Sequence, residues 1–313
     1  MEVFSSSDQA DTLRRIINPR PLKIIAISSG KGGVGKTNVS INLALAMAKQ
    51  GKDVMVLDAD LGLANVDVLL GLRTEYDLSH VISGERSLDE IIVDGPEGIR
   101  IIPASSGVNE MANLTPSQQM GLINAFSELG HAVDVLIVDT GAGLSDTVTN
   151  FCTASQDVVV VVHDEPASIT DAYAFIKVMS RKHKISRFHV LANMTRNAHE
   201  GSALFKKLTV ATDRFLDVML TYLGTVPYDE KLRKAVQHQK AVVEAFPRSP
   251  SALAFKRISR QINNWPEETM SSQGQSTGGL KFFVERIIQS ELLVSNIAQA
   301  SALNTIVPHQ EAC

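Results

Sequence analysis

Apolar positions along this chain fall into two alternating kinds of segment. Short runs rich in β-branched residues stand at Lys23–Ser29, Asp53–Leu57, Arg100–Pro103, Asp134–Val138, Val158–Val162, Phe188–Ala192 and Tyr222–Val226. Between them lie longer stretches in which apolar residues return every three or four positions, as Val39, Leu43, Ala46 and Met47 do. Several of the short runs are apolar throughout, which suits strands buried on both faces. The alternation from about residue 23 to 263 predicts an α/β fold: a mostly parallel sheet with helices on both faces. Ligands of such sheets sit beyond the carboxyl ends of the strands. The residues directly after the runs, Asp58, Asp60, Asp139, Asp164, Glu165, Asn193 and Pro227 to Asp229, are therefore the candidates for ligand contact.

Two appendages flank this unit. Residues 1–20 carry a short helical pattern, with Ser6 and Gln9 at capping-box spacing, Ala10, Leu13, Ile16 and Ile17 on one side, and Pro19 and Pro21 as stops. Residues 266–279 are rich in Ser, Gln, Gly and Glu and read as a flexible linker between the 21–265 domain and a C-terminal segment. From residue 280, Leu280, Phe283, Val284, Ile287 and Ile288 share one helical stripe, so 280–313 is expected to hold an amphipathic helix and a tail. Such a stripe suits either a membrane surface or the chain's own domain. Attraction to anionic lipid would be weak, because Lys281 and Arg286 are offset by Glu285 and Glu291.

Composition narrows the classes. The 313 residues are ample for a substantial core, and a net charge of −4 argues against a constitutive nucleic-acid coat protein. A local cluster of Lys231, Arg233, Lys234, Lys240, Arg248, Lys256, Arg257 and Arg260 reads first as a solvated face and only second as a DNA surface. The longest purely apolar run, Val158 to Val162, is far too short to cross a bilayer, and the N-terminus lacks a signal-peptide core, so a cytoplasmic protein is expected. Cys152 and Cys313 fit no metal or redox spacing.

The sharpest chemistry lies directly after the first run, where Gly30-Lys31-Gly32-Gly33-Val34-Gly35-Lys36-Thr37 precedes a helical pattern. Glycines at this density let backbone N–H groups converge into an anion nest, with a helix N-terminus behind it. Gly30, Gly32 and Gly35 also satisfy the dinucleotide spacing, but Lys36 and Thr37 decide for a triphosphate, which needs a cation on its outer phosphates and a hydroxyl for Mg²⁺. The loop from Gly30 to Thr37, with Asn38 behind it, is thus expected to bind nucleotide. Asp139, closing Val135–Val138, reads as the carboxylate that holds Mg²⁺ through water. Asp58 and Asp60 are expected to diverge after the second run, one facing the metal shell and one the γ-phosphate, with a helix cap as the plain alternative.

With Lys31 through Thr37, Leu57-Asp58-Ala59-Asp60 and Val138-Asp139-Thr140, the chain resembles the MinD/ParA class of deviant Walker ATPases over roughly residues 23–263. The resemblance implies a P-loop NTPase of MinD-like, SIMIBI type using ATP and Mg²⁺. It also implies that Lys31 reaches across a homodimer to the partner's phosphates, that Lys36 and Asp60 serve catalysis with Asp60 positioning water, and that Thr37, Asp58 and Asp139 serve the metal. Asn193, Pro227 and Tyr228 would form the adenine site. Asp58 to Asp67, Asp164-Glu165-Pro166 and Pro227 to Glu230 are similar to the FlhG/FleN branch, regulators of flagellar number. That likeness implies two contacts: an FlhF-like GTPase through Asp8-Gln9-Ala10 to Leu13-Arg14 and a FleQ-like transcription activator. The resemblance to the MinD family implies a peripheral membrane contact through the C-terminal stripe, expected at the cell pole. Division-site placement or DNA and cargo partitioning is the alternative within the class. Gly141 departs from the branch, where alanine is common.

Overall fold

Strand β1 (Lys23–Ser29) takes the middle of the sheet because it is apolar on both sides and can be covered from above and below. The computed structural model describes residues 22–60, 66–104, 114–129, 133–265 and 279–290. The 1–20 segment, most of the 266–279 linker, Leu61 to Asn65 and Cys313 lie outside the described residues. Around β1 stand β2 (Val54–Ala59), β3 (Val93–Asp94), β4 (Arg100–Pro103), β5 (Val135–Ala142), β6 (Asp157–His163), β7 (Arg187–Thr195) and β8 (Met219–Pro227). Their order is β3-β4-β2-β5-β1-β6-β7-β8, and only the β3 to β4 pairing is antiparallel. The α/β expectation thus holds, with the two-residue β3 as an addition.

Helices α1 (Lys36–Ala48), α2 (Pro116–Ser127), α3 (Asp146–Ala154), α4 (Pro166–His183), α5 (Ala198–Phe215), α6 (Glu230–Gln237), α7 (Pro250–Asn263) and α8 (280–290) cover the two faces. Strand alternation sorts the core. Ile25 and Ile27 of β1, Val54 and Val56 of β2 and Val135 and Ile137 of β5 pack with α1 and α7 on one face. Met55, Leu57, Leu136 and Val138 point the other way, toward Phe126 of α2 and Phe151 of α3. Val158, Val160 and Val162 of β6 join α4 and α5 beside them. Helix α1 is apolar nearly all round, and it is buried from Val39 to Met47.

The C-terminal stripe lies on the chain's own domain in this structure. Leu280, Phe283, Val284, Ile287 and Ile288 are buried in the cluster that holds Met55, Phe126 and Phe151. Arg286 donates to the carbonyls of Thr153 and Ala154, satisfying the orphan end of α3. Ile287→Ala is expected to lower the unfolding free energy by at least about 2 kcal/mol in urea titration. A change near zero would mean that the stripe does not belong to the core. No helix among the described residues is long and apolar enough to cross a membrane.

Candidate functional site

The loop between β1 and α1 is shaped by its glycines at two places that admit no side chain. A Cβ on Gly30 would stand 2.2 Å from the backbone carbonyl of Asp171 in α4, so the loop begins in direct contact with that helix. Gly35 caps α1 with φ 89°, and a Cβ there would meet the Asn193 amide nitrogen at 2.6 Å. The loop is also held from the side: Asn193 Nδ2 donates to the Val34 carbonyl at 2.8 Å, and Ser29 Oγ donates to the Lys31 carbonyl at 2.7 Å. The loop is therefore fastened to β7 and α4 before any ligand arrives.

Lys36, at the first position of α1, is only 7% exposed. Burial pulls its amine below the ordinary lysine range, and the carboxylates of Asp139 and Asp60 oppose that shift. Asp139 is fully buried, and its Oδ1 accepts a 2.7 Å hydrogen bond from Ser40 Oγ. Ser40 escaped the motif reading, although it stands four residues after Lys36 and so shares that face of α1. Thr37 also donates to Asp139, whereas Asp139 Oδ2 has no hydrogen-bond partner. A buried carboxylate oxygen in that condition beside a helix-start hydroxyl fits a hydrated Mg²⁺, whose water would supply the missing donor. Among the described residues no group of three or more His, Cys, Asp or Glu side chains is arranged to hold a metal alone. A cation here would thus depend on Thr37, Asp139, phosphate and water.

Two expectations need correction. Asp139 does not close its strand, because β5 runs on to Ala142 between β1 and β2, which continue beside it and pair Ala59 with Thr140 and Ser29 with Ala142. Nor do Asp58 and Asp60 diverge by alternation, since residues two apart share a face of an extended strand. What separates them is the end of β2. Asp58 lies within the strand opposite Asp139, and its Oδ2 accepts the Val66 amide at 3.2 Å, which caps the short helix Val66–Leu70. Asp60 follows the strand, with Oδ1 3.3 Å from the Cβ position of Gly141. The missing methyl of Gly141 therefore leaves that carboxylate room.

Asp139 also carries a pH signature. Burial raises its carboxyl from 3.8 to about 6, against the bonds from Thr37 and Ser40 and the charge of Lys36. The folded state then holds the proton longer than the unfolded one. The contribution to stability is complete below about pH 4 and is lost as pH rises through about 6, a swing of about 3 kcal/mol. Urea unfolding of the metal-free parent and of Asp139→Asn should show the parent losing ground by that amount between these limits. A pH-independent difference would remove the assignment.

The remaining predicted residues reach the same edge by different routes. Asn193 is buried at the end of β7, and Pro227 ends the adjacent β8, paired with Thr195. Tyr228 is 58% exposed next to it, and its amide donates to the Thr195 carbonyl. Met194, absent from the sequence reading, adopts φ 55° and lays its terminal methyl over Gly35. Lys31 is not drawn into the Lys36, Asp60 and Asp139 cluster; its amine sits 3.3 Å from Glu165, at the start of α4. A separate cleft of about 100 Å³ beside Asp58, lined by Asp67, Glu75, Asp77 and His80, is acidic and suits no polyphosphate.

Comparison with known proteins agrees with this geometry. Residues 21–263 match the family model described as ParA, NUBPL iron-transfer P-loop NTPase. The chain is 54% identical over 277 residues to the antiactivator FleN of Pseudomonas aeruginosa, covering 88% of this chain and 97% of that protein. It is 34% identical over 293 residues to the flagellum site-determining protein YlxH of Helicobacter pylori, covering 91% and 98%. The MinC:MinD cell division protein complex of Aquifex aeolicus is a structural neighbour, with a TM-score of 0.61 at 25% identity over 80% of this chain and 98% of that one.

Proposed function

The chain belongs to the ParA family of P-loop NTPases, and from that premise we propose that it is an ATP-driven switch in which two copies pair around nucleotide to regulate flagellar number and placement. The observation that carries this reading is the gathering of Lys36, Thr37, Asp60 and Asp139 at one sheet edge, with Lys31 on the surface outside that group. In this reading the backbone from Gly30 to Thr37 cradles the phosphates and Lys36 neutralises them. Magnesium, when bound through Thr37 and Asp139, neutralises charge on the outer phosphates. Ser40 keeps Asp139 aimed, and Asp60 orients the water for in-line attack. Lys31 enters the pocket of the neighbouring copy, so hydrolysis is coupled to pairing. Asn193 spends its amide nitrogen on Val34 and offers its oxygen to the exocyclic amine of adenine, with Pro227 and Tyr228 beside the base.

The output rests on relatives named an antiactivator and a flagellum site-determining protein. The corresponding partners here are a FleQ-like activator and an FlhF-like GTPase, the latter met by Asp8 to Arg14. The place of action is the cytoplasm and the inner face of the membrane at the pole, and contact through Leu280 to Ile288 requires that helix to leave its own core. Iron transfer, part of the family description, is not part of this proposal. Cys152 is buried with its thiol pushed up to about 12, which disfavours the thiolate that a cluster needs. Light scattering of the Asp60→Ala protein with and without ATP tests the core of the reading: the mass should double with ATP, and a single-copy mass with nucleotide bound would overturn it.

A further inference from the structure

Lys31 is held by a carboxylate that belongs to its own subunit. Lys31 Nζ donates to Glu165 Oε2 at 3.3 Å, and Glu165 Oε1 faces His163 Nε2 at 3.6 Å. The other ring nitrogen of His163 meets the Asn193 carbonyl at 3.2 Å, and the Asn193 amide holds Val34 of the phosphate loop. A continuous set of contacts thus joins the loop to the ion pair. The pair is also framed by the backbone: Gly30 lies flat against Asp171 and Ala172 of α4, the helix that Glu165 begins, and the His163 amide donates to Ser168. The neighbouring carboxylate, Asp164, pairs with Lys207 instead. Lys31 and Glu165 are 42% and 52% exposed, so the pair is open to a competing anion.

We propose that Glu165 is a positioning residue for Lys31, a latch that holds the amine within its own subunit until the phosphates bound by a second copy of this chain take it over. The proposal rests on the reading of Lys31 as a residue shared between copies. Exchange of one anion for another sets a threshold: pairing must first open two such ion pairs, one in each subunit. An exposed pair of this kind is worth roughly a two- to five-fold factor, and by symmetry the dimer carries it twice. The latch belongs to the unpaired subunit, so its effect is the same whichever nucleotide is bound. It keeps weakly pairing nucleotide states below the concentration at which dimers form.

Sedimentation velocity of the full chain, with Mg²⁺ and either a non-hydrolysable ATP analogue or ADP, gives the concentration at half dimerisation. Glu165 makes no side-chain cap bond to α4, so Glu165→Gln leaves the helix start intact. This variant should lower the midpoint roughly four- to twenty-five-fold, by the same factor with both nucleotides, and Glu165→Asp should restore part of the parental threshold. A midpoint unchanged or raised, or lowered with the analogue alone, would overturn the latch. Lys31→Ala separates the two claims. If it pairs as the parent does, the shared-lysine reading fails and the latch with it; if it fails to pair while Glu165→Gln matches the parent, only the latch fails.

Discussion

Asp60→Ala is expected to lower ATP turnover by roughly 10²- to 10⁴-fold while nucleotide stays bound and the two copies stay together. The reason is positional. Asp60 follows β2 and stands beside Gly141, in a cluster where Lys36 is the cation and Asp139 the second carboxylate. The loop that grips the phosphates is fastened by Asn193, Ser29 and the packing of Gly30, none of which involves Asp60. Removing this carboxylate also takes one negative charge away from a site that must accept a polyphosphate, so affinity should hold or rise. Chemistry, in contrast, loses the group that aligns water, and phosphoryl transfer asks little else of the protein beyond electrostatic stabilisation. Single-turnover phosphate release measures the first half of the prediction and light scattering the second. Hydrolysis at the parental rate would move the water-positioning role to another residue.

Lys36→Ala should abolish nucleotide binding at working concentrations and, with it, pairing. The loss expected for truncating a desolvated charge that holds an anion is about 2–5 kcal/mol, or roughly 30- to several thousand-fold in affinity. Lys36 is buried, and the carboxylates of Asp139 and Asp60 oppose the desolvation that pulls its amine below the ordinary lysine range. Without that amine the protein brings two acids and no side-chain cation of this cluster to an incoming polyphosphate. Titration with a fluorescent ATP analogue reports the effect. Lys36→Met, which keeps the stem in place, separates loss of charge from loss of packing: binding by the methionine variant at parental affinity would show that the charge is not what holds the nucleotide.

These outcomes divide along the same line as the legibility of the sequence. The phosphate loop is contiguous, so its eight residues from Gly30 to Thr37 display both the turn and the chemistry in order. β1 is likewise readable to the residue, because an apolar run ended by glycine leaves no choice of boundary. Asp139 is visible in the sequence but not its place within the strand, since the length of β5 depends on two neighbouring strands that continue beside it. Ser40 is within reach of the same reading, one helical turn from Lys36. Asp58 can be assigned to a cap or a metal only by seeing the Val66 amide turned toward it.

By itself, the sequence determined the α/β class, the order of the apolar runs and a phosphate-binding loop at the head of a helix, because each is written in neighbouring residues whose period and steric freedom are local properties. Tertiary structure alone decided the rest. It laid Asn193 on Val34, Glu165 on Lys31 and Ser40 on Asp139, and it turned the stripe from Leu280 to Ile288 onto the core. The physical reason is that an amphipathic stripe or a polar side chain specifies what kind of partner it needs, while the packing of the sheet and its helices selects which partner stands within reach.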